Sequence, residues 1–565
     1  MTSKVYKMRE KIIDLMERTL SAYTDEHIKK YFDEVLSEGL SEHGFPRLTA
    51  NIGILIAHGR RRDLLPLFLR MMEFCCRTIP TVKAANDFSV REIISSICEL
   101  EESGAVSEVD ILRWKSYLRG IKPESCYNVY ATSPEDRLKN WALFTAVSEF
   151  YRMRCGLGGS EEFIETQLAT QLRWLDENGM YMDGKGDTHH PIVYDFAARG
   201  LFSLLLDAGY RGKYYTEIDT ALRKAGLLSL GMQSPNGELA FGGRSNQFLH
   251  NEPWLIAVLV FEAKRYIAEG DTALAREFSS AIGRALEVTE NWLSLEPIRH
   301  IKNRFPTETR YGCEAYAYFD KYMITVASNL HAAYQMCDGR VEPSFEPDIL
   351  PFAVQTTEHF HKLFIKAGGY GLEFDLDGDP HYDASGLGRV HRADAPSAIC
   401  LSVPCPGEPS ITVDIEKPTA LSLCPGVVEE ESTRFATDPD CTYEVVATST
   451  DESSAYAILS TAFADGREIL SEYSVDGSGV SIKLSGEGNI AFMLPVFHFD
   501  GESYTEIKAE ERELSVLYGG WICRTSTDSR ILETDIIGAN RNGHYKEYFV
   551  SGENTVNIKI EIIKV

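Results

Sequence analysis

The chain has 565 residues, 44% of them hydrophobic and 11% aromatic, and its 57 Lys+Arg against 84 Asp+Glu give a formal net charge of −27. That is material for about two to four folded domains and excludes a disordered or fibrous chain. So acidic a surface repels phosphate backbones and anionic lipid heads, and with no basic patch in view it argues against nucleic-acid and membrane partners.

The first twenty residues mix charges throughout and lack the apolar core of a secretory signal, so the chain reads as a cytoplasmic protein. No apolar run approaches the roughly 20 residues that span a bilayer. Twelve cysteines lie scattered with no Cys-x-x-Cys pair, which reads as reduced buried thiols.

From Lys4 to Cys337 apolar residues recur every three to four positions. The spacing predicts helices over 4–21, 47–59, 62–78, 86–102, 107–119, 134–155, 160–177, 195–209, 213–229, 253–268, 272–294 and 312–337. Ser133-Pro134-Glu135-Asp136 supplies a cap residue, a proline at the first helical position and acids in the first turn. An unbroken helical stretch of this length implies antiparallel pairs stacked into a bundle, a solenoid or a closed ring.

Three polar clusters interrupt the helices. In the first, over 174–195, Asp183, Asp187, His189, His190, Tyr194 and Asp195 fall between two helices, with Asp183-Gly184 and Gly186 supplying tight turns. Either Asp187 or Thr188 merely caps the next helix, or the group forms a polar site. In the second, over 234–254, a Gly-Gly turn leads to Arg244, Asn246, Gln247, His250, Asn251 and Glu252, immediately before an apolar helix that Asn251 is suited to cap. Arg244 can grip a carboxylate with two parallel hydrogen bonds. Glu252 is a general acid if burial raises its pKa, or it simply complements the helix dipole. In the third cluster Tyr311, Glu314, Tyr318 and Tyr322 are spaced i, i+3, i+7 and i+11, which places them on one helix face as a sugar platform or as core packing. Arg310 beside them is a second carboxylate ligand.

At 338–352 the texture changes to a proline-rich linker that no helix can cross. We therefore expect a helical catalytic domain over 1–337, a linker over 338–352 and a domain of short alternating strands over 353–565. The last reads as a large antiparallel β-sandwich. At its head Asp375, Asp377 and Asp379 resemble the opening of a calcium loop, but Pro380 and Gly386 stand where Gly and Glu belong, so no metal is expected. His381, Asp383, Arg389 and His391 are placed to face the helical domain and complete its cleft. There is no Walker loop, dinucleotide fingerprint, zinc-protease motif or nucleophile elbow, and no cofactor is called for.

A helical ring followed by a sandwich, with His/Tyr/Asn/Arg loops between, resembles the toroid-plus-sandwich carbohydrate-active enzymes: heparinase II/III-like and oligoalginate lyases, and β-glucuronidase-type hydrolases such as glycoside hydrolase family 154. The fold class this implies is an N-terminal (α/α) toroid of helix hairpins with a C-terminal antiparallel β-sandwich. The stretch Trp174–Tyr194, with Asp183-Gly184 and then Tyr194, looks like the lyase segment in which an Asp-Gly turn precedes the catalytic tyrosine. Asn140-Trp141 falls where those lyases commonly have Asn-His.

The leading expectation from this resemblance is an exo-acting hydrolase of glucuronate-containing oligosaccharides. Glu252 and Glu314 would be its acid and base, Asp187 and Asp195 their reserve. Arg244 and Arg310 would hold the uronate, with His189, Asn246, His250, Asn251, Tyr311, Tyr318, His381, Arg389 and His391 around it. The alternative is β-elimination by Tyr194, aided by His190 and a histidine from the sandwich. A third reading is a carbohydrate-binding protein without catalysis. The strong negative charge favours short oligosaccharides over a long polyanion, and a homo-oligomer is compatible with all three.

Overall fold

The structure, a computed structural model, describes residues 2–131, 139–183, 188–430 and 432–565. The Ser133–Asp136 capping signal lies outside them. Among the described residues the first part of the chain forms helices α1 (Thr2–Leu20), α2 (Asp25–Glu38), α3 (Gly44–Ala57), α4 (Leu65–Thr78), α5 (Val90–Ser103), α6 (Glu108–Leu118), α7 (Pro123–Cys126), α8 (Lys139–Arg154), α9 (Glu161–Leu172), α10 (Ile192–Asp207), α11 (Tyr215–Met232), α12 (Asn251–Glu269), α13 (Thr272–Leu293) and α14 (Phe319–Met336). Four of them start on side chains that accept the orphan backbone N–H groups: Thr24, Ser107, Ser160 and Asp271. Gly104 and Gly270 close α5 and α12 in the left-handed conformation that glycine adopts without strain.

Six helices form an inner ring in which α3 packs on α5, α5 on α8, α8 on α10, α10 on α12, α12 on α14, and α14 returns to α3. The others back them: α1 lies against α14, α4 against α3, α9 against α8, α11 against α10 and α13 against α12. The inner helices are the most apolar. In α3 every residue from Gly44 to Ile56 is buried, whereas α2 buries only Ile28, Phe32 and Val35. Helices α2 and α7 lie outside the predicted spans. The helix expected over 312–337 begins only at Phe319, because Arg310 and Gly312 turn the chain through positive φ (55° and 77°).

No helix or strand occupies 337–351, and the strands start at Phe352. Strands β1 (Phe352–Gln355), β2 (Lys362–Ala367), β3 (Tyr370–Asp375) and β4 (Gly386–Arg392) form a four-stranded antiparallel sheet in sequential order. It faces an eleven-stranded sheet built on two 21-residue strands, Gly479–Phe499 and His544–Lys564, paired antiparallel over most of their length. Leu363, Ile365 and Phe374 of the small sheet share one core with Tyr473, Val475 and Ile482 of the large one, and the Phe374 and Tyr473 rings meet edge to face at 4.8 Å. The result is a sandwich. No described helix is long and apolar enough to cross a membrane.

The small sheet docks on the ring through polar anchors. The Lys366 ammonium donates to the carbonyls of Leu230 (2.6 Å) in the last turn of α11 and Gln233 (3.0 Å) just after it, and Arg389 donates to Leu239 O (2.8 Å). Buried charges are thus spent on holding the two halves in register.

Candidate active site

A cavity of about 310 Å³ opens at the mouth of the ring. From α3 and its approach come His43 and Arg47; from α8, Asn140 and Trp141; from the segment before α10 and its first turn, Asp183 and Tyr194. The loop before α12 adds Arg244, Ser245, His250 and Asn251, and the approach to α14 adds Tyr316, Lys321 and Tyr322. Three of these are strong cations (Arg47, Arg244, Lys321). Among the described residues one carboxylate, Asp183, lines the cleft.

Tyr194 stands at its centre. Its phenol shares a hydrogen bond with Ser245 Oγ at 2.9 Å, and Ser245 Oγ shares another with the Tyr316 phenol at 2.8 Å. The Arg244 guanidinium lies 4.8 Å from the centroid of the Tyr194 ring and reaches Asp183 Oδ2 at 3.5 Å, where Asn140 Nδ2 also donates at 3.3 Å. Burial raises the Tyr194 pKa above the ordinary phenol value, while Arg244 and the Ser245 hydroxyl pull it down. His250 is pushed down to about 3 by burial and by the charge on Arg47, so it is neutral at pH 7. Its Nδ1 accepts or donates no hydrogen bond among the described residues.

The turn that carries Arg244 and Ser245 is over-determined. Gly242, Gly243, Ser245 and Gln247 all adopt positive φ, and a Cβ on Gly243 would come within 3.1 Å of Pro191. Three anchors hold this strained backbone. Asp383, at the edge of the sandwich, accepts from Gly243 N at 2.6 Å; Glu314 accepts from Ser245 N at 2.5 Å; Asn251 Nδ2 donates to Ser245 O at 2.8 Å. Glu314 is itself clamped by Arg541 of the sandwich, whose NH1 and NH2 donate at 3.0 and 2.6 Å. Burial raises the Asp383 carboxyl to about 7, against the pull of Lys362.

The expected residues separate into those gathered at the cleft and those placed elsewhere. Tyr194, Arg244, His250 and Asn251 line it. Asn251 is the first helical residue and binds the strained turn, so it does not cap α12; His250 occupies the cap position with no side-chain bond. Glu252 and Glu314 are not brought together as an acid and base. Glu252 accepts from Lys302 at 2.6 Å and from Leu239 N at 3.0 Å, fully buried behind the cleft, and Glu314 is consumed by Arg541 and Ser245. Asp195 is locked in a two-pronged pair with Arg199 and accepts from Tyr181 N, while Asp187 lies outside the described residues. His190 reaches Asp183 O through Nδ1 at 2.6 Å, which makes it a support for the cleft wall. His189 pairs with Asp377 at 3.2 Å, across the joint between ring and sandwich.

The aromatic stripe does not form, because 311–318 is not helical. Tyr311 stacks on Phe305 at 3.5 Å and donates to Gly543 O, Tyr318 is exposed under Arg310, and Arg310 itself donates to the Glu314 and Ala315 carbonyls. Asn246 is buried against Gln247. Of the sandwich residues, His381 is half exposed and bonded to Asp379, whereas Arg389 and His391 are buried against Glu373, Asn236 and Ser402, outside the cleft. His43, Arg47, Tyr316 and Lys321 were missed. The one signal available for Arg47 was a charged residue in a helix that is otherwise uncharged and mostly apolar.

Ring, sandwich and cleft define a helical toroid joined to a β-sandwich, with a cationic, tyrosine-centred cavity lined by residues of the ring. No family model matches the chain, and no curated protein matches it. Among solved structures the chain is similar to Heparinase III (TM-score 0.36, 9% identity, over 84% of this chain and 76% of that one). It is also similar to a heparan sulfate lyase from Pedobacter heparinus (0.35, 8%, over 88% and 75%) and to a chondroitin lyase that is a baculovirus envelope protein (0.42, 10%, over 91% and 76%).

Proposed function

We propose that the protein is a carbohydrate-active enzyme that cleaves short uronate-containing oligosaccharides by β-elimination, with Tyr194 as the proton-transferring group. The observation that carries this reading is a phenol at the centre of a cationic cleft, tied to Ser245 and overlain by Arg244. In the proposed step the ionised fraction of Tyr194, small because of burial and favoured by Arg244 and Ser245, takes the proton from the carbon that bears the carboxylate. Those electrons become a carbon–carbon double bond as the bond to the leaving oxygen breaks, and Tyr194 returns a proton to that oxygen. Arg244 and Asn140 line the same cavity as Tyr194 and would stabilise the negative charge that gathers on the substrate carboxylate. Hydrolysis by a carboxyl pair has less support, since Glu252 and Glu314 are each engaged in buried ion pairs.

The test is to incubate the protein with glucuronate-terminated oligosaccharides and follow ultraviolet absorbance and product mass together. Elimination gives an absorbing unsaturated product whose mass, summed with the leaving fragment, equals that of the substrate. A mass gain of one water without absorbance would replace this reading with hydrolysis.

A further inference from the structure

A second and larger cavity, about 880 Å³, lies at the joint between ring and sandwich, within the size range of ligand sites. Glu238, Lys302 and Asn542 line it: Lys302 donates to Glu238 (2.8 Å) and, behind the wall, to Glu252 (2.6 Å), and Asn542 donates to Lys302 O. Its rim is aromatic and exposed. Tyr504 is 71% exposed, although Phe499 and His498 brace its ring at 4.7 and 5.0 Å, and Phe345 is 58% exposed opposite a half-buried Trp292.

The charges select the ligand. Every cation lining this cavity is already paired: Lys302 as above, Arg304 with Asp500 and Glu502, Arg284 with Asp348. Two carboxylates are left over. Glu287 on α13 and Asp394 just after β4 make no ion pair among the described residues, and burial followed by Asp394 raises the Glu287 carboxyl. In addition, Asn542 Oδ1 and Arg284 Nε, on side chains more than nine-tenths buried, have no hydrogen-bond partner. The two unpaired carboxylates and the Asn542 amide oxygen are surplus acceptors and the Arg284 N–H one surplus donor, a set that suits hydroxyls, which both donate and accept, while the leftover negative charge works against an anion, the reverse of the tyrosine cleft.

We infer that this cavity is a second saccharide site, specific for uncharged sugars, formed jointly by α13, the turn after β4 and the loop bearing Tyr504. Aromatic faces suit the C–H surfaces of a pyranose, and the spare carboxylates take its hydroxyls. The site does not depend on which reaction the first cleft performs.

Isothermal calorimetry with cellotetraose, maltotetraose and xylotetraose tests it, with spermine as a cationic control. At least one neutral tetrasaccharide should bind the full-length protein. Tyr504→Ala and Asp394→Asn should each weaken that binding roughly tenfold, or about 1.4 kcal/mol. Tyr504 is exposed, and asparagine tolerates the positive φ of Asp394 (67°), so neither change threatens the fold. Tyr194→Phe should leave the binding unchanged, and Tyr504→Ala should leave turnover unchanged, which separates this site from the catalytic reading. Absence of heat with all three sugars, equal affinity in Tyr504→Ala, loss of affinity in Tyr194→Phe, or heat from spermine alone would each overturn the inference.

Discussion

Replacing Tyr194 by phenylalanine removes one oxygen and leaves the ring. The cation–π contact with Arg244 needs only that ring, and Ser245 keeps its bond to Tyr316, so no buried hydroxyl is orphaned. The cost to stability is one hydrogen bond of the ordinary net worth, about 1 kcal/mol or less. Against this, loss of a positioned proton-transfer group removes about 10²–10⁴ in kcat, equivalent to roughly 3–5 kcal/mol of transition-state stabilisation. KM should stay within about threefold, because Arg244 and Asn140 still hold the carboxylate. The assay is initial-rate formation of the unsaturated product, with urea unfolding of both proteins alongside. A variant that keeps its stability and eliminates within about threefold of the wild-type rate would refute the role of Tyr194.

Four further outcomes follow from the same geometry. Arg244→Gln should weaken acidic sugars far more than neutral ones and move the ascending limb of the pH–rate profile to higher pH, since Arg244 lowers the pKa of the Tyr194 base; an unmoved limb would remove that coupling. Arg541→Met leaves Glu314 buried without its partner and should cost about 3–5 kcal/mol in denaturant unfolding, which an unchanged midpoint would contradict. Glu252→Gln should retain elimination, measured as absorbance, because Glu252 faces Lys302 and not the cleft; a folded but inactive variant would restore it to the chemistry. Glu373, raised by burial to about 7, holds its proton in the folded state while the unfolded chain releases it near 4.5. Its contribution is therefore lost as pH rises from 4.5 through 7, by up to about 3 kcal/mol, and Glu373→Gln should flatten that slope in pH-dependent unfolding.

Local periodicity made the helical half legible, because an inner helix such as α3 or α12 is apolar around most of its circumference. It failed where the pattern persisted without the structure. Tyr311, Glu314, Tyr318 and Tyr322 have helical spacing, yet Gly312 turns through positive φ and packs against the Arg541 backbone. The cleft was half legible. Tyr194 and Arg244 stand out in polar loops, whereas Arg47 becomes a cleft residue only once six helices close and turn one side of α3 inward. The two glutamates look alike in sequence. What removes them from the cleft is Lys302, fifty positions after Glu252, and Arg541, 227 positions after Glu314.

That last separation has a consequence for synthesis. The ring can close as soon as α14 is made, but the turn bearing Arg244 and Ser245 then rests on a Glu314 whose guanidinium does not yet exist. Domains generally fold from the N-terminus as the chain emerges, so a nascent chain passes through an interval with a finished helical ring and an unassembled cleft. The support of the cleft is complete only with the arrival of residue 541, so a product truncated before it would carry Tyr194 without the Arg541 clamp on Glu314 that steadies the Ser245 turn.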